Sequence, residues 1–471
     1  MPEGGSGGRL TEGVPRLRRV APNVALLLLV SGVAVAEGGF GDTAYFALIL
    51  GSGMALLFAS FRHPEPFLHA LAKPPVVALG CLSVLGTISL LWSPSSWDSA
   101  ILHALLPGAL ACIAIFISCA CRGDEQRLLV ESWLAVLATI FGLSGLVGLA
   151  LEQDPLAIIL GGHWRPAGFI EYSPALAFLQ VAAMPVLALG ARADGLAVRI
   201  TCVLSLSIGG SVTILTGDRT MLLAAASLIV CWLLWPQFSL GANRREAVRC
   251  ALLWGVGGLL VALTLRSSVP VAALLTLAVV AAADQYACPV RGPGLPSVPK
   301  LSGRLRNGLA VAAVMLIVAA AGSALLLESG SSEGVQGRSG IDHGRVELWG
   351  DSLRVAAEKP ILGHGQASYY LVTRTEQSSP VRFAHNMVVE SAVETGLVGA
   401  LLFILVLAGS TWLAWQRRFS PQAWLFTPGV LAFVLLALVD WTWYLSGVSA
   451  IWAVCLGALI ATDESGSSDS G

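Results

Sequence analysis

Apolar runs of membrane-span length recur along almost the whole chain. They fall near 20–36, 43–60, 75–92, 100–120, 128–150, 174–190, 196–215, 219–237, 249–265, 269–284, 308–326, 388–415, 422–440 and 444–461. A helix needs about 20 apolar residues to cross a bilayer. Inside hydrocarbon the backbone must also satisfy its own hydrogen bonds, which helices do. The pattern therefore predicts an all-α, polytopic integral membrane protein with about 12–14 transmembrane helices. The pair 249–265 and 269–284 is short and parted only by Arg266–Ser268, so it reads either as two thin spans or as a re-entrant hairpin. The first run has no cleavage site and reads as an anchor. Between runs, the one long hydrophilic stretch is 327–387.

Composition agrees with this pattern. Of 471 residues, 55% are hydrophobic and only 12% are charged. Soluble domains carry about 25% charge, so a soluble globular enzyme is excluded, and so is a disordered or nucleic-acid-binding chain. Because charge is scarce, its placement is informative. With the N-terminus inside, nineteen of the 28 Lys and Arg residues fall at the N-terminus or in inside loops. Short outside loops hold only Arg165, Arg219 and Arg266, and segment 327–387 holds the other six. Positive residues concentrate on the cytoplasmic side of membrane proteins, so both termini are expected inside.

The resulting plan has five parts. Residues 1–19 form a disordered cytoplasmic N-terminus, 20–326 hold transmembrane helices 1–11, and 327–387 form an external, catalytic loop. Residues 388–461 hold helices 12–14, and 462–471 form a disordered tail. None of the nine cysteines lies in an expected outside loop, which argues against a disulfide framework. Trp92, Trp97, Trp441, Trp443 and Tyr444 cluster at outer span ends, and Trp232, Trp235, Trp412 and Trp415 at inner ones, as an aromatic belt would.

Within 327–387, Ile341–Lys359 carries an apolar stripe of Ile341, Val346, Trp349, Leu353 and Ala356. That spacing predicts an amphipathic helix lying at the membrane interface, stopped by Pro360. The turn Gly363-His364-Gly365 follows. Ala384-His385-Asn386 then opens the next span, and Asn386, Glu390 and Glu394 recur on one helical face. A carboxylate near the start of a helix is favoured by the helix dipole. Glu394 lies deeper, where an ionisable residue points to function. Three arginines run against the charge bias by facing outward: Arg165, Arg219 at the head of a span, and Arg345 at the head of the amphipathic helix. With His385 they make a candidate anion site, since guanidinium groups fork onto phosphate oxygens and stay charged. Thr216-Gly217-Asp218 would also present helix N-terminal N–H groups there. His163, His343, His364 and His385 are all expected outside, yet none has the spacing of a metal motif, so no metal and no cofactor are expected.

Four stretches carry a family likeness. Arg165-Pro-Ala-Gly-Phe with Pro174-Ala-Leu-Ala is the first and Leu215-Thr-Gly-Asp-Arg219 the second. The third is Gly344-Arg345…Trp349…Pro360-x-Leu-Gly363-x-Gly365. The fourth is Ala384-His385-Asn386…Glu394-x-Gly396-Leu-x-Gly399. In that order and spacing they resemble the O-antigen ligase / O-antigen polymerase superfamily of bacterial membrane glycosyltransferases. The chain departs at Asp218, where Ser is usual, and at Tyr172-Ser173-Pro174-Ala175, where Pro-Asn is usual.

The resemblance implies a reaction and a place for it. A glycan passes from undecaprenyl pyrophosphate to an acceptor hydroxyl at the outer face of the bacterial inner membrane, with inversion and without a metal. The acceptor is lipid A–core in a ligase and another lipid-linked glycan in a polymerase. His385 matches the family's essential histidine and is expected to bind or deprotonate the acceptor. Arg219 and Arg345 match its essential arginines and are expected to hold the pyrophosphate. Arg165, Asn386 and Glu394 complete the expected substrate contacts. A transporter or flippase and a peptidoglycan-type polymerase are the competing readings. The chain shows none of the internal repeats of the first. For the second it offers external Asp342 and Asp351.

Overall fold

The computed structural model describes residues 13–160, 162–193, 195–234, 249–266, 345–374, 381–418 and 420–462. These residues are almost all helical. In chain order the main helices are α1 Gly13–Val35, α2 Asp42–Arg62, α3 Pro64–Leu71, α4 Pro74–Ser89, α5 Trp97–Ala120 and α6 Asp124–Leu151. They continue as α7 Ser173–Gly190, α8 Leu196–Thr216, α9 Arg219–Leu234 and α10 Gly258–Arg266, the last preceded by a π turn at Leu253–Gly257. Then come α11 Arg345–Glu358, α12 Tyr369–Thr373, α13 Met387–Gln416, α14 Thr427–Ala437 and α15 Ser446–Ala461. Among the described residues six helices are long and apolar enough to span a membrane, α3 and α4 form one bent pair, and five apolar helices are shorter. The chain is an all-α polytopic membrane protein. The runs expected at 269–284 and 308–326, residues 327–344, and the tail segments 1–12 and 463–471 lie outside the described residues.

Burial separates a centre from a lipid-facing rim. The most apolar window of α7 is 83% buried, whereas that of α2 is only 28% buried. The exposed large apolar residues of α2 are Phe46, Leu50, Met54, Leu57, Phe58 and Phe61, one broad stripe at helical spacing. An apolar stripe that no protein covers is what a lipid-facing helix requires. Exposed Val136, Ile140, Leu143 and Val147 make the same stripe on α6.

Four details differ from the sequence reading. Helix α1 begins at Gly13, inside the stretch expected to be a tail. The turn before α4 contains α3, bent by 76° from α4, with Leu68 and Leu71 exposed. Pro64 starts α3 and Pro74 starts α4, and proline favours a first turn but cannot continue a helix. The loop before α7 holds an antiparallel hairpin, Ala157–Leu160 with His163–Pro166, which puts Arg165 on a strand opposite Ile158. Finally, Trp443 and Tyr444 are 3% exposed rather than facing a bilayer interface. The turn between α14 and α15 folds into the bundle and stacks these rings against protein.

Helix α11 packs on α13 through Leu348, Asp351, Ser352 and Val355, while Val346 and Leu353 stay exposed. The apolar stripe expected on this helix is therefore split. Trp349 turns inward and donates to the Ala384 carbonyl at 2.9 Å. Val346 and Leu353, with exposed Ile361 and Leu362, remain for an interface with lipid. Beyond Pro360 the chain docks on a kink in α13 at Gly396, whose φ of 69° and ψ of −164° only glycine adopts readily. His364 N–H donates to the Val393 carbonyl at 2.9 Å, Gly365 N–H to Glu394 at 2.7 Å, and Leu397 N–H to Pro360 at 2.8 Å. A Cβ on Gly396 would strike the Ile361 carbonyl. Gly396→Ala is expected to destabilise the protein by about 1–3 kcal/mol from backbone strain alone. A lower midpoint in thermal unfolding, with faster proteolysis near residue 362, checks this.

Candidate functional site

The loops at one end of the bundle close on one another. Ser446 Oγ donates to the Gly39 carbonyl at 2.6 Å, Tyr45 to the Tyr444 carbonyl at 2.5 Å, and Ser93 to the Gln366 carbonyl at 2.8 Å. This is the end expected to face outward, and it holds the turns that carry Arg165, Asp218, Arg345, His385 and Asp440.

His385 sits just ahead of α13 in the left-handed region, with φ of 51°. A non-glycine residue there is strained and must be held. Three contacts hold it. Asn386 accepts from the N–H groups of Val388 and Val389 at 3.0 and 3.1 Å and so caps α13. The Glu390 carboxylate accepts from Ala384 N–H at 2.9 Å, and Trp349 binds the Ala384 carbonyl. The imidazole side chain is 30% exposed, but its Nδ1 is buried and makes no hydrogen bond. That atom faces Asp440 Oδ1 at 3.9 Å.

Asp440 is 2% exposed and lies in the turn beyond α14. Tyr172 Oη donates to its carboxylate at 2.9 Å, and Trp441 N–H donates to it at 2.5 Å. Burial, reinforced by the charge of Asp218, pushes its carboxyl up to about 7, against the pull of Tyr172, the Trp441 N–H and Arg345. His385 moves the other way. Burial, then the Arg345 guanidinium, lowers its imidazole to about 4. At neutral pH the ring is therefore neutral and Asp440 is at its midpoint.

The cations lie on the same cluster. Arg345, the first described residue of α11, acts electrostatically on His385, Asp440 and Asp218. Arg165 donates to the Thr216 carbonyl at 3.1 Å and also acts on Asp218. Asp218 accepts from Met221 N–H at 2.7 Å. Burial raises its carboxyl, opposed by the Met221 N–H, Arg345, the Thr220 N–H and Arg165. The first N–H groups of α9, expected to await a phosphate, are thus taken by Asp218 itself. Arg219 follows Asp218 at the first position of α9 and is half-buried.

The other expected substrate contacts, Asn386 and Glu394, have structural partners as Arg165 does. The Asn386 side-chain oxygen is the α13 cap. Glu394 Oε2 accepts from Gln366 at 2.7 Å and from Tyr444 at 3.4 Å, and its Oε1 accepts from Tyr369 N–H at 3.3 Å. Glu394 thereby clamps the Gly365–Tyr369 turn onto α13. Asp351, the candidate of the peptidoglycan-type reading, pairs with Arg354 on its own helix, and Asp342 lies outside the described residues. Among the described residues no three His, Cys, Asp or Glu side chains gather as a metal site.

Sequence reasoning missed Asp440. The signal was there, since Asp440 is the one acidic residue between 397 and 460, at the end of an apolar run beside Trp441. It was absorbed into the boundary of the span expected at 422–440, whereas α14 ends at Ala437.

Fold and site together define a polytopic membrane protein with a cation–histidine–carboxylate cluster at one end of its bundle. The sequence model of the family described as O-antigen ligase matches residues 202–404. Over that stretch the chain is similar to the O-antigen ligase family, a likeness that supports the O-antigen ligase/polymerase superfamily and suggests a glycan-transferring membrane enzyme. The matched stretch contains Arg219, Arg345, His385 and Glu394, while Arg165 and Asp440 lie beyond it. A search of curated proteins finds no match.

Proposed function

We propose that this protein is a glycosyltransferase of the bacterial inner membrane, acting at the outer face with both termini in the cytoplasm. It moves a glycan from undecaprenyl pyrophosphate to an acceptor hydroxyl, on lipid A–core or on a second lipid-linked glycan. The observation that carries this reading is the pairing of His385 with Asp440 beside Arg345, Arg165 and Asp218. A neutral imidazole with Nδ1–H turned to Asp440 leaves Nε2 as the proton acceptor. His385 takes the proton of the acceptor hydroxyl as its oxygen attacks the anomeric carbon. The bond from that carbon to the pyrophosphate oxygen breaks, and the configuration inverts. Arg345 and Arg219, with Arg165, hold the charge that collects on the leaving pyrophosphate. Asp440 stabilises the imidazolium that forms. These steps use no metal and no cofactor.

Reconstituting the purified protein in liposomes with a defined undecaprenyl-pyrophosphate glycan and each acceptor tests the reading. Transfer is expected to appear as a mass shift of one acceptor and to survive chelation. Activity lost to chelator and restored by a divalent cation would refute the metal-free step.

The protonation of Asp440 gives a pH dependence with a definite sign. Burial raises its carboxyl to about 7, so the charged form that steadies the imidazolium is lost as pH falls through that value. Transfer is expected to drop about tenfold per pH unit below this midpoint. The neutral fraction of His385 changes little over the same range, because its titration lies near 4. Asp440→Asn is expected to be slower and to show no limb near 7. An unchanged limb in that variant would assign it to another group.

A further inference from the structure

A cavity opens at the same end of the molecule, with a volume of about 670 Å³. That lies within the roughly 300–1,000 Å³ usual for small-molecule sites. Its walls come from α5, α12, the 382–383 segment, α13 and Tyr444. Neither Arg165 nor Arg345 lines it, so it is separate from the cluster around Asp218. A stack of rings joins the two places. Tyr172, which binds Asp440, packs on Trp441 at 4.9 Å between centroids. Trp441 stacks on Phe383 at 4.8 Å and 3°, and Phe383 on Tyr444 at 5.1 Å. Phe383 and Tyr444 both line the cavity, and Phe383 lies two residues before His385.

The chemistry of the walls is that of a polyol site. Glu390 and Glu394 both line the cavity, Glu394 through the carboxylate that clamps the Gly365–Tyr369 turn, and a carboxyl group such as that of Glu390 accepts from neighbouring hydroxyls. Ser96 and Ser99 add hydroxyls, and Ser96, though it is the N-cap residue of α5, makes no side-chain cap bond. Tyr370 is 43% exposed and offers an open aromatic face. His103 lines the cavity with a buried Nδ1 that has no hydrogen-bond partner. The walls carry both the Glu390 and Glu394 carboxyl groups and the Arg382 guanidinium, so no wall of a single charge is offered to an anionic or a cationic sugar.

We infer that this cavity seats a neutral sugar ring of the acceptor, a short distance along the glycan from the hydroxyl that reacts at His385. The assignment rests on the transferase reading above. The donor's first sugar must lie beside its pyrophosphate, and the arginines that would hold the pyrophosphate are absent from this cavity. The acceptor is what remains. The cavity would then select which glycan is accepted, while the His385 cluster performs the transfer.

The test uses the reconstituted full-length protein with acceptor and donor concentrations varied separately. Ser99→Trp fills the cavity and Tyr370→Ala removes its aromatic face from an exposed helix without touching the bundle core. Each is expected to raise the acceptor KM about tenfold, equivalent to about 1.4 kcal/mol, with donor KM and kcat at saturation unchanged. Unchanged acceptor KM in a folded Tyr370→Ala protein overturns the inference, whatever Ser99→Trp does to folding. A rise in donor KM instead would assign the cavity to the donor glycan and overturn the acceptor assignment. In both cases wild-type transfer leaves the transferase reading standing. A wild-type protein that transfers to neither acceptor removes that reading and this one together.

Discussion

Alanine at position 385 is expected to slow glycan transfer by about 10²–10⁴-fold, the range that a positioned general base supplies. The same variant is expected to keep the wild-type unfolding midpoint within a few degrees. Folding is spared because the His385 side chain is 30% exposed and its Nδ1 makes no hydrogen bond that would be lost. The left-handed backbone at 385 is held by Asn386, Glu390 and Trp349 and not by the imidazole. Histidine visits that backbone region more readily than alanine, so the substitution adds a small strain that the same three contacts still hold. Asp440 keeps its bonds from Tyr172 and Trp441. The check is the initial rate at saturating donor and acceptor, beside a thermal scan of the same preparation. Wild-type activity in the variant would remove His385 from the proton transfer. A collapse of the unfolding midpoint would show that the residue is structural.

The fold was legible wherever lipid dictates sequence. Apolar runs such as those around α2 and α6 stand out because one stripe faces hydrocarbon and the rest faces protein, leaving no place for charge. The local chemistry of the site was legible too, since His385, Asn386 and Glu390 follow one another at the head of a helix. Two things were hidden. The partners of His385 come from residues distant along the chain. Asp440 is 55 positions away and Tyr172 more than 200, and nothing in spacing links them. The roles of Asn386 and Glu394 were hidden as well. Both are polar, near the histidine and plausible as ligands by type. Only the hydrogen bonds show that one caps α13 and the other clamps the Gly365–Tyr369 turn. Gly363 and Gly396 are a single feature in two pieces, because a Cβ on either would strike the backbone beside the other.

Arg345→Ala is expected to reduce transfer by about 10²–10³-fold, about 3–4 kcal/mol of lost stabilisation where charge develops on the leaving pyrophosphate. The loss should fall mainly on kcat if Arg345 meets the charge that builds in the transition state, and on donor KM if it only holds the ground state. Arg345→Lys separates charge from shape, because an ammonium restores the charge but not the planar fork that grips two phosphate oxygens. Partial recovery is expected, short of wild type. A second signature follows from the same residue. The guanidinium lowers the His385 imidazole, although burial is the larger cause. Removing it must raise the imidazole, and also the Asp440 carboxyl that Arg345 holds down, so the acid limb near 7 shifts to higher pH. A pH–rate profile of the alanine variant reads both effects at once, a lower plateau and a displaced acid limb. A lower plateau with no displacement would place Arg345 on the pyrophosphate alone, out of reach of the base. Displacement without a lower plateau would make it a tuner of the His385–Asp440 pair that never meets the donor.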